Sequence, residues 1–471
     1  MRRALIALTV VVALLSTSAP AFAHAYLVGS TPRADAKLEV APPVVLLNFN
    51  EPVQLLRSED AVVVDAQGAE VDSSAARGGG DSRTVEIPLR QGLPDGTYTV
   101  RYQVIGADSH VIGGVFVFGV GSGELGEPFL GGASGSGPSE TGPWGTSSRF
   151  LEILGLGGLI GLLAFRWLVW APAIGSMPGV RESEREAVLT WGRDAFWMGF
   201  GIFAIGAMLA EGYLLVVQSA SVLSTGVLSA VQDTNGISQV LSDTRFGSLV
   251  QLRGALLFAL FAIGAILFIR EYGSSGAPKP ATVTGSRVAG AVMAVLLVVV
   301  LGGIASQGHA NVSSSSSLQI AAQAVHVAAV SVWIVGLAMV AIIMVRLPAV
   351  ATGGGPGLAA RVLARFSTVA LIAVGVAVLT GVFRSFAELS DPAELWQTDY
   401  GRSILYKVAL LVPIAVIALY NRRIVEALTR VKSPNGPTLR LVRRTAGTEL
   451  ALSLVIVLIA TVLAAQVPGG V

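Results

Sequence analysis

The chain holds four histidines, His24, His110, His309 and His326. Imidazole is the commonest metal ligand among side chains, and each of the four stands where a metal-handling chain would want one. His24 follows Ala21-Phe22-Ala23, and His110 closes Asp108-Ser109-His110 ahead of an apolar run. His309 sits at the mouth of one apolar span and His326 inside the next. An N-terminal histidine offers its α-amine and Nδ1 as a chelate. With ordinary pKa values of about 8 and about 6.5, both groups shed protons cheaply near neutrality. Asp108 and His110 are two residues apart, which on a strand puts both side chains on one face. Taken alone, Asp-Ser-His also reads as a plain turn with a solvated histidine.

The chain has no cysteine, and its seven methionines are scattered. Soft sulfur ligands select Cu(I), so a site built here uses nitrogen and oxygen. An amine, two imidazoles and a carboxylate form a tetragonal set that suits Cu(II). The net charge of +2 gives no ground for nucleic-acid binding. Apolar residues make up 53% of the chain and charged residues only 13%, the balance of a polytopic membrane protein.

These ligands need elements to hold them. Arg2 and Arg3, the apolar run Ala4–Leu15 and Ala21-Phe22-Ala23 follow the order of a signal peptide over residues 1–23. Cleavage after Ala23 would make His24 the first mature residue. Cleavage a residue or two away, or a retained anchor, are the competing readings. Residues 24–121 read as an all-β sandwich, with strands expected at 44–50, 61–64, 84–89, 97–104 and 114–120 between Gly- and Pro-bearing turns. Residues 122–148, rich in Gly, Ser and Pro, read as a flexible tether. Docking of the sandwich on the chain's own membrane domain is a question that such a tether leaves open.

Residues 149–471 carry apolar runs of spanning length, expected near 150–171, 194–219, 247–269, 285–305, 318–345, 366–387, 404–420 and 447–466. Eight helices in the lipid bilayer put both the sandwich and the C-terminus outside the cytoplasmic membrane. The first, third, fifth and seventh connections are then cytoplasmic, and they are the basic ones. Arg181, Arg185 and Arg193, then Arg346, Arg361 and Arg365, are examples, whereas the outer loops carry little beyond Arg245 and Arg402.

Within the spans, Gln319, Gln323 and His326 fall at i, i+4 and i+7, one polar stripe on an apolar helix. His326 is expected roughly 12 Å below the outer surface at about 1.5 Å per residue. Polar groups at that depth face a bundle interior or a water-filled cavity, so the stripe reads as a metal path or as hydrogen bonds between helices. Glu211, at similar depth, reads as a third ligand, a proton carrier or a hydrogen-bonded side chain. Arg253, Arg384, Lys407 and Glu449 are expected near helix ends, where snorkelling or ion pairing accounts for them. Gly157-x-x-x-Gly161 suggests close helix packing.

Residues 24–121 resemble the CopC family of periplasmic copper-binding proteins. The likeness rests on His24, Phe49-Asn50-Glu51-Pro52, Leu93-Pro94-Asp95-Gly96-Thr97-Tyr98 and Asp108-x-His110 before Gly113–Val120. The family's Asp-Gly-His-Pro is here Asp108-Ser109-His110-Val111, which changes the turn and keeps both ligands. The resemblance implies an Ig-like or cupredoxin-like sandwich with Cu(II) on His24, Asp108 and His110. The methionine-rich Cu(I) site of some relatives has no counterpart, since no Met lies between residues 24 and 121. Glu51 fits the pattern but reads as a turn or strand-edge residue. Residues 150–466 resemble the CopD family through Gly308-His309-Ala310, His326 leading to Trp333-Ile334-Val335-Gly336, Asp399-Tyr400-Gly401-Arg402 with Lys407, Asn421-Arg422-Arg423 and Glu449.

A fusion of the two families implies copper capture outside and transfer through the membrane domain by way of His309 and His326, with import expected from the resemblance and export as its rival. No P-loop occurs, so movement would be passive or ion-coupled. The chain is read as a non-enzyme. Other classes stay open: a haem-bearing redox protein using two membrane histidines, an oxidative enzyme built on a copper-chelating N-terminal histidine, and a storage or sensor module without flux.

Overall fold

The computed structural model describes residues 25–78, 83–106, 110–122, 125–130, 142–175, 180–272, 283–306, 316–389, 391–430 and 436–463. The signal-peptide segment, His24, Asp108 and His309 therefore lie outside the described residues.

Among the described residues nine strands form the N-terminal unit: β1 (Leu27–Thr31), β2 (Lys37–Leu38), β3 (Val44–Phe49), β4 (Val53–Gln54), β5 (Ala61–Val64), β6 (Arg77–Gly78), β7 (Thr84–Pro88), β8 (Gly96–Gly106) and β9 (Val111–Val120). One sheet runs β1-β3-β7-β6. The other runs β2-β9-β8-β4, with β5 also paired to β8. The two sheets form the expected sandwich because alternate residues turn inward. Val45, Leu47 and Phe49 meet Val85 and Ile87 on one side and Tyr98, Val100, Val104, Phe118 and Val120 on the other. All five expected strands are present. Four more are additional: β1, of five residues, which the sequence reading does not contain, and β2, β4 and β6, of two residues each, too short for period-two alternation to register in the sequence.

The membrane domain contains α1 (Pro143–Ile174), α2 (Glu182–Val222), α3 (Val227–Gln232), α4 (Thr234–Asp243), α5 (Arg245–Tyr272), α6 (Val283–Ala305), α7 (Ser316–Val350), α8 (Gly355–Glu388), α9 (Glu394–Gln397), α10 (Asp399–Arg430) and α11 (Gly436–Leu463). Eight of these, among the described residues, are long and apolar enough to cross a membrane. The first starts at Pro143, earlier than the expected 150, because proline at the first helical position costs no hydrogen bond. It also contains a π-helical stretch, Phe165–Trp170, where the Leu168 carbonyl accepts from Arg365 Nε of α8 at 2.7 Å.

The glycine spacing in α1 does the packing work suggested for it. A Cβ on Gly157 would stand 2.9 Å from Ser331 Oγ, and one on Gly161 would stand 2.4 Å from Val335 Cβ and 2.5 Å from the Ser331 carbonyl, all on α7. Gly155 meets the α2 backbone in the same way, 2.7 Å from Ala207 Cα. Gly161→Val should thus force α1 and α7 apart and destabilise the fold by about 1–3 kcal/mol. A lower unfolding temperature in detergent would show it, and an unchanged one would mean the helices do not approach as described.

The sandwich rests on one end of this bundle. Gln103 Nε2 donates to the Val222 carbonyl at 2.7 Å, and Ser224 Oγ donates back to Gln103 Oε1 at 2.6 Å. Leu56, Ile105 and Val111 of the sandwich join Leu214, Val222, Val240, Phe246 and Val250 in one apolar cluster. The Arg245 backbone N–H reaches Gln54 Oε1 at 3.4 Å.

Candidate metal sites

The β8–β9 hairpin brings His110 to the docked end. Its strands pair from Gly96↔Val120 to Ile105↔Val111, and the Gly106 N–H donates to the His110 carbonyl at 2.8 Å. β4 lies alongside, with Val53 opposite Gly106, so the Asn50-Glu51-Pro52 turn stands next to the hairpin tip. The Tyr26 N–H donates to Asn50 Oδ1 at 2.7 Å and the Asn50 N–H to the Tyr26 carbonyl at 3.2 Å. The segment just after His24 is thereby tied to the same end as Glu51 and His110. Glu51 is only 2% exposed, far more buried than a strand-edge residue needs to be. Glu51 lies in the turn expected for it, and its burial is the part that the sequence does not reveal. Among the described residues no three His, Cys, Asp or Glu side chains converge on one point. His110 Nε2 lies 3.4 Å from Nη2 of Arg149, on the first turns of α1.

His326 lies about three turns into α7. Its Nδ1 is 2.9 Å from the Ala377 carbonyl and 3.0 Å from Thr380 Oγ1, both on α8. A carbonyl can only accept, and the Thr380 hydroxyl donates to the Val376 carbonyl at 2.7 Å. Nδ1 therefore carries the ring proton, and the lone pair on Nε2 is left for another partner. Metal-bound imidazoles are commonly oriented this way, by donation from the second nitrogen to a carbonyl. Gly381 gives the ring room, since a Cβ there would sit 3.3 Å from Cε1. One turn earlier, Gln323 Oε1 is buried without a hydrogen-bond partner among the described residues, and Gln319 is also buried. Arg384 on α8 and Lys407 on α10 stand within electrostatic reach of the ring. A metal ion meets repulsion there that its ligands must offset.

Two turns further along α7, Trp333 Nε1 and Asn421 Nδ2 (α10) each donate to the Glu449 carboxylate of α11 at 3.4 Å. Thr445 Oγ1 holds Asn421 Oδ1 at 2.6 Å. Glu449 is 5% exposed and sits well inside its helix, not near a helix end as the sequence suggested. For Arg253, of snorkelling and ion pairing it is the ion pair that the structure holds, about two turns inside α5. Arg253 is fully buried, with Nη2 at 2.6 Å from Glu211 Oε1 and Nη1 at 3.2 Å from Glu152 Oε1. Glu211 accepts a second bond from Arg253 Nε at 2.9 Å. Ser306, three residues before His309 in sequence, is drawn to the docked end by Arg245, whose Nη2 reaches its carbonyl at 3.5 Å.

Comparison with known proteins follows the same division. Residues 27–121 match the CopC domain, residues 143–316 the N-terminal domain of copper resistance protein D-like proteins, and residues 360–463 copper resistance protein D. The chain is 28% identical over 451 residues to the copper transport protein CutJ of Bacillus subtilis, covering 94% of this chain and 74% of that one. It is 35% identical over 108 residues to copper resistance protein C of Pseudomonas syringae pv. tomato, covering 22% of this chain and 85% of that one. Among solved structures it is similar to PcoC, a methionine-rich copper resistance protein from Escherichia coli. That match has 30% identity, covers 21% of this chain and 99% of PcoC, and has a TM-score of 0.19.

Proposed function

Because this chain belongs to the CopC and copper resistance protein D families, with both kinds of domain in one polypeptide, we propose that it captures Cu(II) outside the cytoplasmic membrane and passes copper inward. His24, Asp108 and His110 hold the ion on the sandwich, and Glu51, buried beside the same hairpin, supports them. The set is all nitrogen and oxygen, the chemistry of a tetragonal Cu(II) site. Copper then meets His309, reaches Nε2 of His326, and moves along the same face of α7 toward Glu449.

The observation that carries this reading is the docking. The sandwich seats its hairpin end, where His110 lies, on the end of the bundle from which α7 carries His326 inward. A domain that only stored copper gains nothing from aiming its ligands at a membrane domain. The eight spans, with the basic connections read as cytoplasmic, support a topology that has that docked end, and the C-terminus, outside. Glu211 is left out of the path because Arg253 already engages its carboxylate.

Titration of the purified full-length chain with Cu(II), followed by electron paramagnetic resonance, tests the capture step. A tetragonal signal with nitrogen hyperfine structure is expected. His110→Ala should weaken binding at least about a hundredfold, since losing mere supporting groups around a metal already costs about 10–100-fold. A wild-type chain with no such signal, or a His110→Ala chain that binds as tightly, would contradict the assignment.

A further inference from the structure

We propose that Arg149 is a release residue: in the docked arrangement its guanidinium competes with copper for His110 and so drives the ion off the sandwich. The inference rests on the reading of His110 as a copper ligand. Arg149 Nη2 lies 3.4 Å from His110 Nε2. A guanidinium has donors only and keeps its charge at any ordinary pH, so Nε2 must be the acceptor and the ring proton resides on Nδ1. A neutral imidazole has a single nitrogen lone pair, and here it faces Arg149.

Copper therefore cannot share His110 with Arg149 through either nitrogen. Binding at Nε2 takes the lone pair that the guanidinium occupies. Binding at Nδ1 requires the other tautomer, which turns an Nε2–H toward the N–H of a cation. In both cases a second positive charge is brought beside the first. Copper on His110 and the Arg149 contact are mutually exclusive.

The contacts that seat the sandwich do not depend on His110. Gln103 with Val222 and Ser224, Gln54 with Arg245, and the apolar cluster around Ile105 and Val111 hold the domain on α2, α4 and α5. Docking can thus bring Arg149 against the ligand while other residues supply the attraction. By linkage, whatever docking subtracts from copper affinity, bound copper subtracts from docking. A loaded sandwich then approaches, gives up its ion and settles into the arrangement described above.

Competition between the full-length protein in detergent and a chromophoric Cu(II) chelator tests this directly. Arg149→Ala should bind Cu(II) about tenfold more tightly than wild type, the scale of one hydrogen bond from a charged donor. Arg149→Gln, which removes the charge and keeps the bulk, should shift the same way. A gain of affinity cannot come from misfolding of the sandwich, and wild-type thermal unfolding of both Arg149 variants in detergent excludes a gain from a disrupted bundle. In a His110→Ala background the effect of Arg149→Ala should vanish, because the competition has lost its object. Equal or weaker binding by Arg149→Ala would overturn the proposal and leave the copper site standing. So would an affinity gain that persists in full without His110. A wild-type chain that binds no Cu(II) would instead remove the capture reading, and this inference with it.

Discussion

Arg253→Gln is expected to destabilise the membrane domain by about 3–5 kcal/mol, the cost of stranding buried charge once its partner is removed. Arg253 joins three helices. It reaches Glu152 on α1 and Glu211 on α2 from its own place on α5, and all three side chains are at least nine-tenths buried. Glutamine leaves two carboxylates facing each other without a cation, in surroundings where water cannot compensate either. Thermal unfolding in detergent should show a sharp loss of stability, or loss of monodisperse protein. Arg253→Met combined with Glu152→Gln and Glu211→Gln should recover most of it, because replacing a whole buried ionic group is far cheaper than breaking it. If Arg253→Gln unfolds like wild type, the triad does not hold the helices together. Glu211 would then return as a candidate for transport chemistry.

The second large effect is expected at His326. His326→Ala should lower copper flux at least about a hundredfold, by the same reasoning from supporting groups, and leave Cu(II) capture by the sandwich unchanged. Thr380→Val removes one of two acceptors that orient Nδ1 and leaves the Ala377 carbonyl, so a loss of only about two- to tenfold is expected. Flux measured in vesicles at saturating copper separates these variants. Wild-type flux in His326→Ala would take the path off this face of α7.

Much of the architecture is legible in the sequence, for identifiable reasons. The eight spans stand out because the bilayer demands long apolar runs. The five expected strands stand out as β-branched and aromatic runs between turn residues, whereas β1, of five residues, does not. Gly157 and Gly161 announce a close helix contact, and Ser331 and Val335 supply it. Failures come where an assignment depends on an element's true end or on a partner from another helix. Glu449 seemed terminal because its helix was expected to open at 447, whereas α11 begins at Gly436 and buries it. For Arg253 the sequence leaves snorkelling and ion pairing both open, because nothing in its own segment reveals Glu152 and Glu211 as the partners. Arg149 carries no motif at all, and its meaning comes only from the docked hairpin. His110 and His326 could be picked out by residue type alone, but the direction of their lone pairs could not.

Copper accumulation by right-side-out vesicles at low external Cu(II), with wild-type protein beside His110→Ala, tests capture coupled to inward transfer most directly. Wild-type vesicles should accumulate copper faster than vesicles without the protein, and His110→Ala should slow that uptake at low copper and approach wild type as copper is raised. Copper that stays bound outside wild-type vesicles, with no interior accumulation at any concentration, would contradict transport and leave a protein that binds the metal without moving it.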